Sequence, residues 1–207
     1  MKVEKFKNIF KGLERAHGEY RYTDIKVNGK RDGKMFTKHE PPTLQMYQDH
    51  LDGKEPALGI VPIRDDATCF WGCIDIDEYP LDHKKILSKI RKYKLPLIMC
   101  SSKSFGAHIF LFSLIPQSAN LFQQKLKEIS SYLGYANAEV FPKQTQLANE
   151  KDTGSWLNLP YHGETRWAYL DNGEGASLDE FFSLYEKYVC KDTVSYTHLT
   201  LPTIYSV

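Results

Sequence analysis

The sequence has no surplus of either charge. Lys and Arg number 27 against 26 Asp and Glu, a formal net charge of +1. Bulk attraction therefore cannot by itself carry a nucleic-acid function, although a local basic groove still can. No apolar run approaches the ~18 residues of a membrane span, so no membrane partner is expected. The opening stretch MKVEKFKNIFKGLERAHGEY is charged throughout and lacks the apolar core of a secretory signal, which makes the cytoplasm the expected location. Cysteine is sparse: Cys69, Cys73, Cys100 and Cys190. Cys69 and Cys73 are four apart, and no second Cys/His pair at zinc spacing accompanies them. No structural zinc is expected, and the thiols read as free and mostly buried.

What is present suits one sizeable core, or one domain with a smaller lobe: 207 residues, 42% hydrophobic and 13% aromatic. Phe6, Ile9, Phe10 and Leu13 fall at helical spacing, and a helix is expected over residues 3–16. NGKRDGK marks a turn between short strands within residues 20–40. Helices are expected over 43–52, closed by Gly53, and over 82–94. ALGIVPI, TCFWGCIDI, LPLIMCS and AHIFLFSLI read as strands. Ser118 reads as the cap of a helix carrying Phe122, Leu126, Ile129 and Leu133, with Gly134 to close it. AEVFP, SWLNLP and RWAYLD read as short strands, and Ser177 with Glu180 forms a capping box for a last helix. This order predicts a mixed sheet with helices packed on it. From Val194 the tail VSYTHLTLPTIYSV has no Asp, Glu, Lys or Arg and no packing period. It resembles translation through an adapter end used in sequencing libraries. Residues 194–207 are expected to be non-native, with the natural protein continuing past Lys191.

Four segments could carry chemistry. In WGCIDIDEYP, strand alternation points Asp75 and Asp77 to one face, roughly 6.5–7 Å apart along the backbone. Ile74 and Ile76 face the other way. A shared divalent cation offsets the repulsion of two like charges, and hard cations take carboxylate oxygens and leave room for substrate phosphates. An exposed strand with solvated acids is the plainer alternative. SSKSFGAHIFLF crowds Ser101, Ser102, Lys103, Ser104 and His108 around Gly106, a cradle for an anion such as a triphosphate. An ordinary polar hairpin would look the same. NAEVFPKQ offers Glu139 as a third carboxylate, with Lys143 and Gln144 able to reach a nucleotide or template. WLNLPYHGETRW offers Asn158, His162 and Arg166, each equally suited to a turn or to solvent.

Taken in order, CIDID, SKSFGAHIFLF, AEVFPKQ and WLNLPYHG resemble the archaeo-eukaryotic primase superfamily over about residues 40–190, and most of all its primase–polymerase-like domains in phage, mobile-element and TOTE-type conflict-system proteins. The resemblance implies an α+β fold, with an RRM-like mixed sheet as catalytic core (56–191), flanking helices and a smaller N-terminal α/β lobe (1–55). It implies template-directed nucleotidyl transfer with Mg²⁺ or Mn²⁺ and nucleoside triphosphates. Asp75, Asp77 and Glu139 would bind the metal, and these three with His108 would be catalytic. Ser102, Lys103, Ser104, His108, Lys143 and Gln144 would bind the nucleotide. The implied partners are a single-stranded template or primer-template and a helicase domain or partner further along. Two alternatives remain at this point. A metal-dependent nuclease or phosphodiesterase also clusters carboxylates but needs no triphosphate cradle. A binding module that has lost catalysis gains nothing from acids facing phosphates.

Overall fold

A computed structural model of the protein describes residues 1–27 and 30–191. The turn expected at NGKRDGK falls partly outside the described residues, and the tail expected to be non-native falls wholly outside them. The elements run α1 (Lys2–Ile9), β1 (His17–Val27), β2 (Lys30–Lys38), α2 (Leu44–Leu51), β3 (Ala57–Ile60), β4 (Thr68–Ile76), α3 (His83–Lys92), β5 (Leu97–Ser101), β6 (Ala107–Ser118), α4 (Ala119–Leu133), β7 (Glu139–Phe141), β8 (Leu157–Asn158) and α5 (Leu178–Tyr188). Among the described residues, no helix is long and apolar enough to cross a membrane.

Two four-stranded sheets result, ordered β2-β1-β3-β8 and β5-β6-β4-β7. The second sheet, with α3 and α4, is a β-α-β-β-α-β unit of RRM type. The α+β class holds, but all ladders between the named strands are antiparallel where a mixed sheet was anticipated. The reason is topological. The crossover through α3 makes β4 and β5 run the same way, and the β5–β6 hairpin then inserts β6 between them.

Strand alternation sorts the second sheet into two faces. Ile74, Ile76, Ile109, Leu111, Leu97 and Met99 pack with Ile86 and Ile90 of α3 and with Phe122, Leu126 and Ile129 of α4. Gly72 belongs to this face, where an added Cβ would lie 2.6 Å from a Leu126 methyl, so its bareness lets α4 approach. Trp71, Cys73, Phe110, Phe112 and Phe141 pack on the opposite face with Phe6 of α1 and Phe10 just past its end, Phe181 of α5, and Leu58 and Ile60 of β3. The Phe10 ring centroid lies 5.6 Å from Trp71 and 5.5 Å from both Phe110 and Phe112, tilted edge-on to each.

α1 ends at Ile9, well short of the residue 16 that spacing suggested. Tertiary contact overrides the helical period. A Cβ at Gly12 would sit 2.0 Å from the Val61 carbonyl oxygen, and the Leu13 amide donates to that oxygen at 2.9 Å. β3 and β4 lie in different sheets, so the segment between them carries the chain from one sheet to the other. The first sheet joins residues 17–38 to 57–60 and 157–158, across the division expected at residue 55.

Candidate active site

Toward its C-terminal end, β4 changes from aromatic to acidic on one face. Trp71 and Cys73 are buried there, and Asp75 follows on the same side. Asp75 is paired in register with Glu139 of β7 on one flank and His108 of β6 on the other, and His108 with Cys100 of β5. Partners in register share a face. Glu139, Asp75, His108 and Cys100 therefore form one row across four strands. His108 Nε2 lies 3.4 Å from Asp75 Oδ1, at ion-pair distance. That oxygen is buried and accepts no hydrogen bond. An orphaned carboxylate oxygen is costly unless another group completes it. Asp77 lies just past the strand, where its Oδ1 accepts a 2.9 Å hydrogen bond from the Tyr79 hydroxyl. Burial and this carboxylate both raise the Tyr79 pKa, so the hydroxyl stays protonated. Glu139 is engaged by Lys143 at 2.7 Å.

The β5–β6 turn approaches Asp77 from the side. Ser102 organises it: its Oγ accepts from the Gly106 amide at 3.0 Å and the Ser104 amide at 3.4 Å. The Ser102 amide donates to the Gly106 carbonyl at 3.0 Å. His83, in the first turn of α3, places Nε2 3.1 Å from the same carbonyl. A Cβ at Gly106 would fall 2.3 Å from the Ile76 carbonyl oxygen and 3.3 Å from Asp77 Oδ1, so only glycine lets the turn come this close. Lys103 reaches away from the turn and lies 3.7 Å from the Tyr20 ring centroid in β1.

These groups line a cleft of about 710 Å³ between the two sheets. Asp75, Asp77, Ser102, Lys103, Ser104, His108, Glu139 and Lys143 all border it. Gln144 does not: its carboxamide accepts from the Ser155 amide at 2.9 Å and donates to Ser155 Oγ at 3.0 Å, bracing the segment that forms the far wall. Asn158 lines the cleft, whereas His162 and Arg166 do not. His162 Nε2 lies 3.1 Å from the Lys54 carbonyl. The buried Arg166 guanidinium donates to the Leu159 carbonyl at 3.4 Å and the Tyr22 hydroxyl at 3.3 Å. Sequence reasoning missed Tyr79, and it missed the far wall of Met35, Thr37 and Trp156. Tyr79 stands two residues after Asp77 and was open to suspicion on that ground. The far wall carries no local signal, because pairing of distant strands brings it there.

The donor set suits a hard divalent cation in one particular way. Among the described residues, no group of three or more His, Cys, Asp or Glu side chains stands close enough to hold a metal alone. Asp75 and Asp77 nevertheless offer oxygen ligands at the mouth of a cleft that a phosphate-bearing ligand could enter. Mg²⁺ commonly takes one or two carboxylates and completes its shell with water and substrate phosphates.

The chain was compared with known proteins. The family model described as TOTE conflict system, archaeo-eukaryotic primase domain, matches residues 2–188. No curated protein matches. Among solved structures, the chain is similar to the archaeo-eukaryotic primase domain of the primase–polymerase of cyanophage S-2L. The TM-score is 0.47 at 11% identity, covering 88% of this chain and 95% of that one.

Proposed function

Because the chain belongs to the archaeo-eukaryotic primase domain family of TOTE conflict systems, we propose that its cleft joins nucleotides on a nucleic-acid template. The observation that carries this reading is the meeting in one cleft of a carboxylate pair, Asp75 and Asp77, with a hydroxyl- and ammonium-bearing turn, Ser102–Lys103–Ser104, and His108. A nuclease would need the carboxylates but not the turn.

In this mechanism a hydroxyl of the growing strand attacks the α-phosphate of a nucleoside triphosphate, and pyrophosphate leaves. Asp75 and Asp77 would hold Mg²⁺ or Mn²⁺, which when bound neutralises charge developing on the phosphates. Glu139, ion-paired with Lys143, would be the third carboxylate available to that metal. The Lys103 ammonium and Ser104 hydroxyl supply donors to the triphosphate, while the Ser104 and Gly106 amides stay committed to Ser102. The His108 imidazole borders the cleft beside Asp75, its Nε2 3.4 Å from Oδ1. Trp156 and Thr37, joined by a 3.2 Å hydrogen bond, form the wall opposite the carboxylates.

The test is incorporation of labelled dNTPs and NTPs, side by side, on primed and unprimed templates with Mg²⁺ or Mn²⁺. The wild type should extend or initiate strands. Asp75→Ala and Asp77→Asn should each lower the rate at least ~10³-fold, a loss comparable to removing a principal electrostatic contributor to catalysis, with unchanged circular dichroism. Strand degradation without added nucleotides, or no incorporation in any format, would overturn the reading.

A further inference from the structure

We propose that Tyr79, which lines the cleft, and Phe105, next in sequence to the cleft-lining Ser104, form a stacking subsite for a nucleobase of the single strand that enters it. The proposal rests on the nucleotidyl-transfer reading and extends it to how the strand is held.

Phe105 is conspicuous on two counts. The residue is 71% exposed, and its backbone sits at φ 65°, the left-handed region that a bulky residue adopts at a cost. Glycine or asparagine would suit that turn position better. The turn's own hydrogen bonds come from Ser102, Gly106 and the main chain, so its construction makes no use of the aromatic ring. Strain of this kind, carrying an exposed aromatic beside a cleft, calls for a ligand. Tyr79 supplies a second face. It is 47% exposed, and its hydroxyl is tied to Asp77 at 2.9 Å, so its ring is already oriented. Both aromatics flank the same turn: Phe105 precedes Gly106, where an added Cβ would lie 3.3 Å from Asp77 Oδ1, and Tyr79 donates its hydroxyl to that same oxygen.

Charge points the same way. Proteins that hold single strands combine cations along the backbone with aromatic faces under the bases. This chain has a net charge of only +1. Near the lip the cations Lys103 and Lys143 are engaged by Tyr20 and Glu139. Phosphate attraction is therefore modest, and base stacking must supply a larger share of strand affinity.

The probe is a fluorescein-labelled single-stranded DNA of about 12 nucleotides, titrated by anisotropy over a range of salt concentrations, alongside the nucleotide KM in the incorporation assay. Phe105→Ala should weaken oligonucleotide affinity about tenfold, the size of one lost stacked base. The slope of log K against log salt should not change, because no phosphate contact is removed. Phe105→Trp should keep affinity. Phe105→Gly should lose it as alanine does, with a melting temperature equal to or above wild type, because the backbone strain is relieved. Oligonucleotide affinity unchanged in Phe105→Ala overturns the subsite, whether or not the enzyme incorporates nucleotides. A rise in nucleotide KM with oligonucleotide affinity intact also overturns it, because the base would then belong to the free nucleotide. If the wild type incorporates nothing, yet Phe105→Ala still loses the oligonucleotide, the polymerase reading fails and the subsite stands.

Discussion

A methyl group at residue 106 would have nowhere to go. The clash with the Ile76 carbonyl involves backbone on both sides, so the β5–β6 turn would have to back away from β4. Overpacking of this kind costs about 1–3 kcal/mol. Gly106→Ala should lower kcat/KM for incorporation more than tenfold while a urea melt shows only that loss of stability. Wild-type activity at an unshifted midpoint would mean that the turn does not need to touch β4. His83 acts on the same turn from outside the cleft, through the Gly106 carbonyl. It is a positioning residue. His83→Ala should raise the nucleotide KM several-fold with kcat nearly unchanged, and His83→Gln, which restores an N–H donor, should recover part of the loss. Equal falls in kcat and kcat/KM would instead place His83 in the chemistry.

At the scale of elements, the far wall depends on two strands giving up their side chains. Gly18 of β1 and Gly59 of β3 are partners in register, and Trp156 lies across both; an added Cβ would fall 2.0 Å and 2.2 Å from the indole. Gly59→Ala should therefore lift Trp156 into the cleft, seen as a shifted tryptophan emission and reduced incorporation. α2 is fastened by His50, whose Nδ1 accepts from the Leu58 amide at 2.9 Å and whose Nε2 donates to the Pro160 carbonyl at 2.9 Å. Burial, with Arg166 and His162 nearby, lowers its pKa from 6.5 to about 3. Between those values the unfolded chain binds the proton and the folded chain does not, so stability falls as pH drops through that window. The slope from this group is at most about 1.4 kcal/mol per pH unit. Urea melts between pH 7 and pH 4 should show it, and His50→Gln should flatten it. β4 and α4 were legible in the sequence because their signals are local: Cys73 and Asp75 alternate with Ile74 and Ile76, and Phe122, Leu126, Ile129 and Leu133 recur before Gly134. The Asp75 and His108 side of the cleft could be read for the same reason. Met35, Thr37 and Trp156 could not, since β1 meets β3, and β3 meets β8, only through long-range pairing. The turn of Gln144 toward Ser155 was not legible for a related reason, because Ser155 lies in a loop with no period.

For the molecule as a whole, the N-terminal residues complete the core that follows them. Phe6 and Phe10 close the aromatic face of the second sheet, and β1 pairs with β3. A fragment of residues 56–191 would expose Trp71, Phe110 and Phe112. It should fail to fold as a soluble monomer, whereas residues 1–191 should melt in one transition by calorimetry and circular dichroism. Phe10→Ala should cost about 3–5 kcal/mol, the usual toll of emptying a buried aromatic site. Two separate transitions would support a division at residue 55. The ammonium of Lys103 on the Tyr20 ring spans from one sheet to the other. On the proposed reading, an incoming triphosphate would compete for that ammonium, so part of its attraction would go to undoing an existing contact. The apparent affinity is then the intrinsic one discounted by the fraction of molecules in which Lys103 is already free. With an exposed cation–π contact worth about 0.5–1 kcal/mol, the discount is a factor of about 3–6. On the proposed reading, the contact would raise by that factor the nucleotide concentration at which the cleft is half filled.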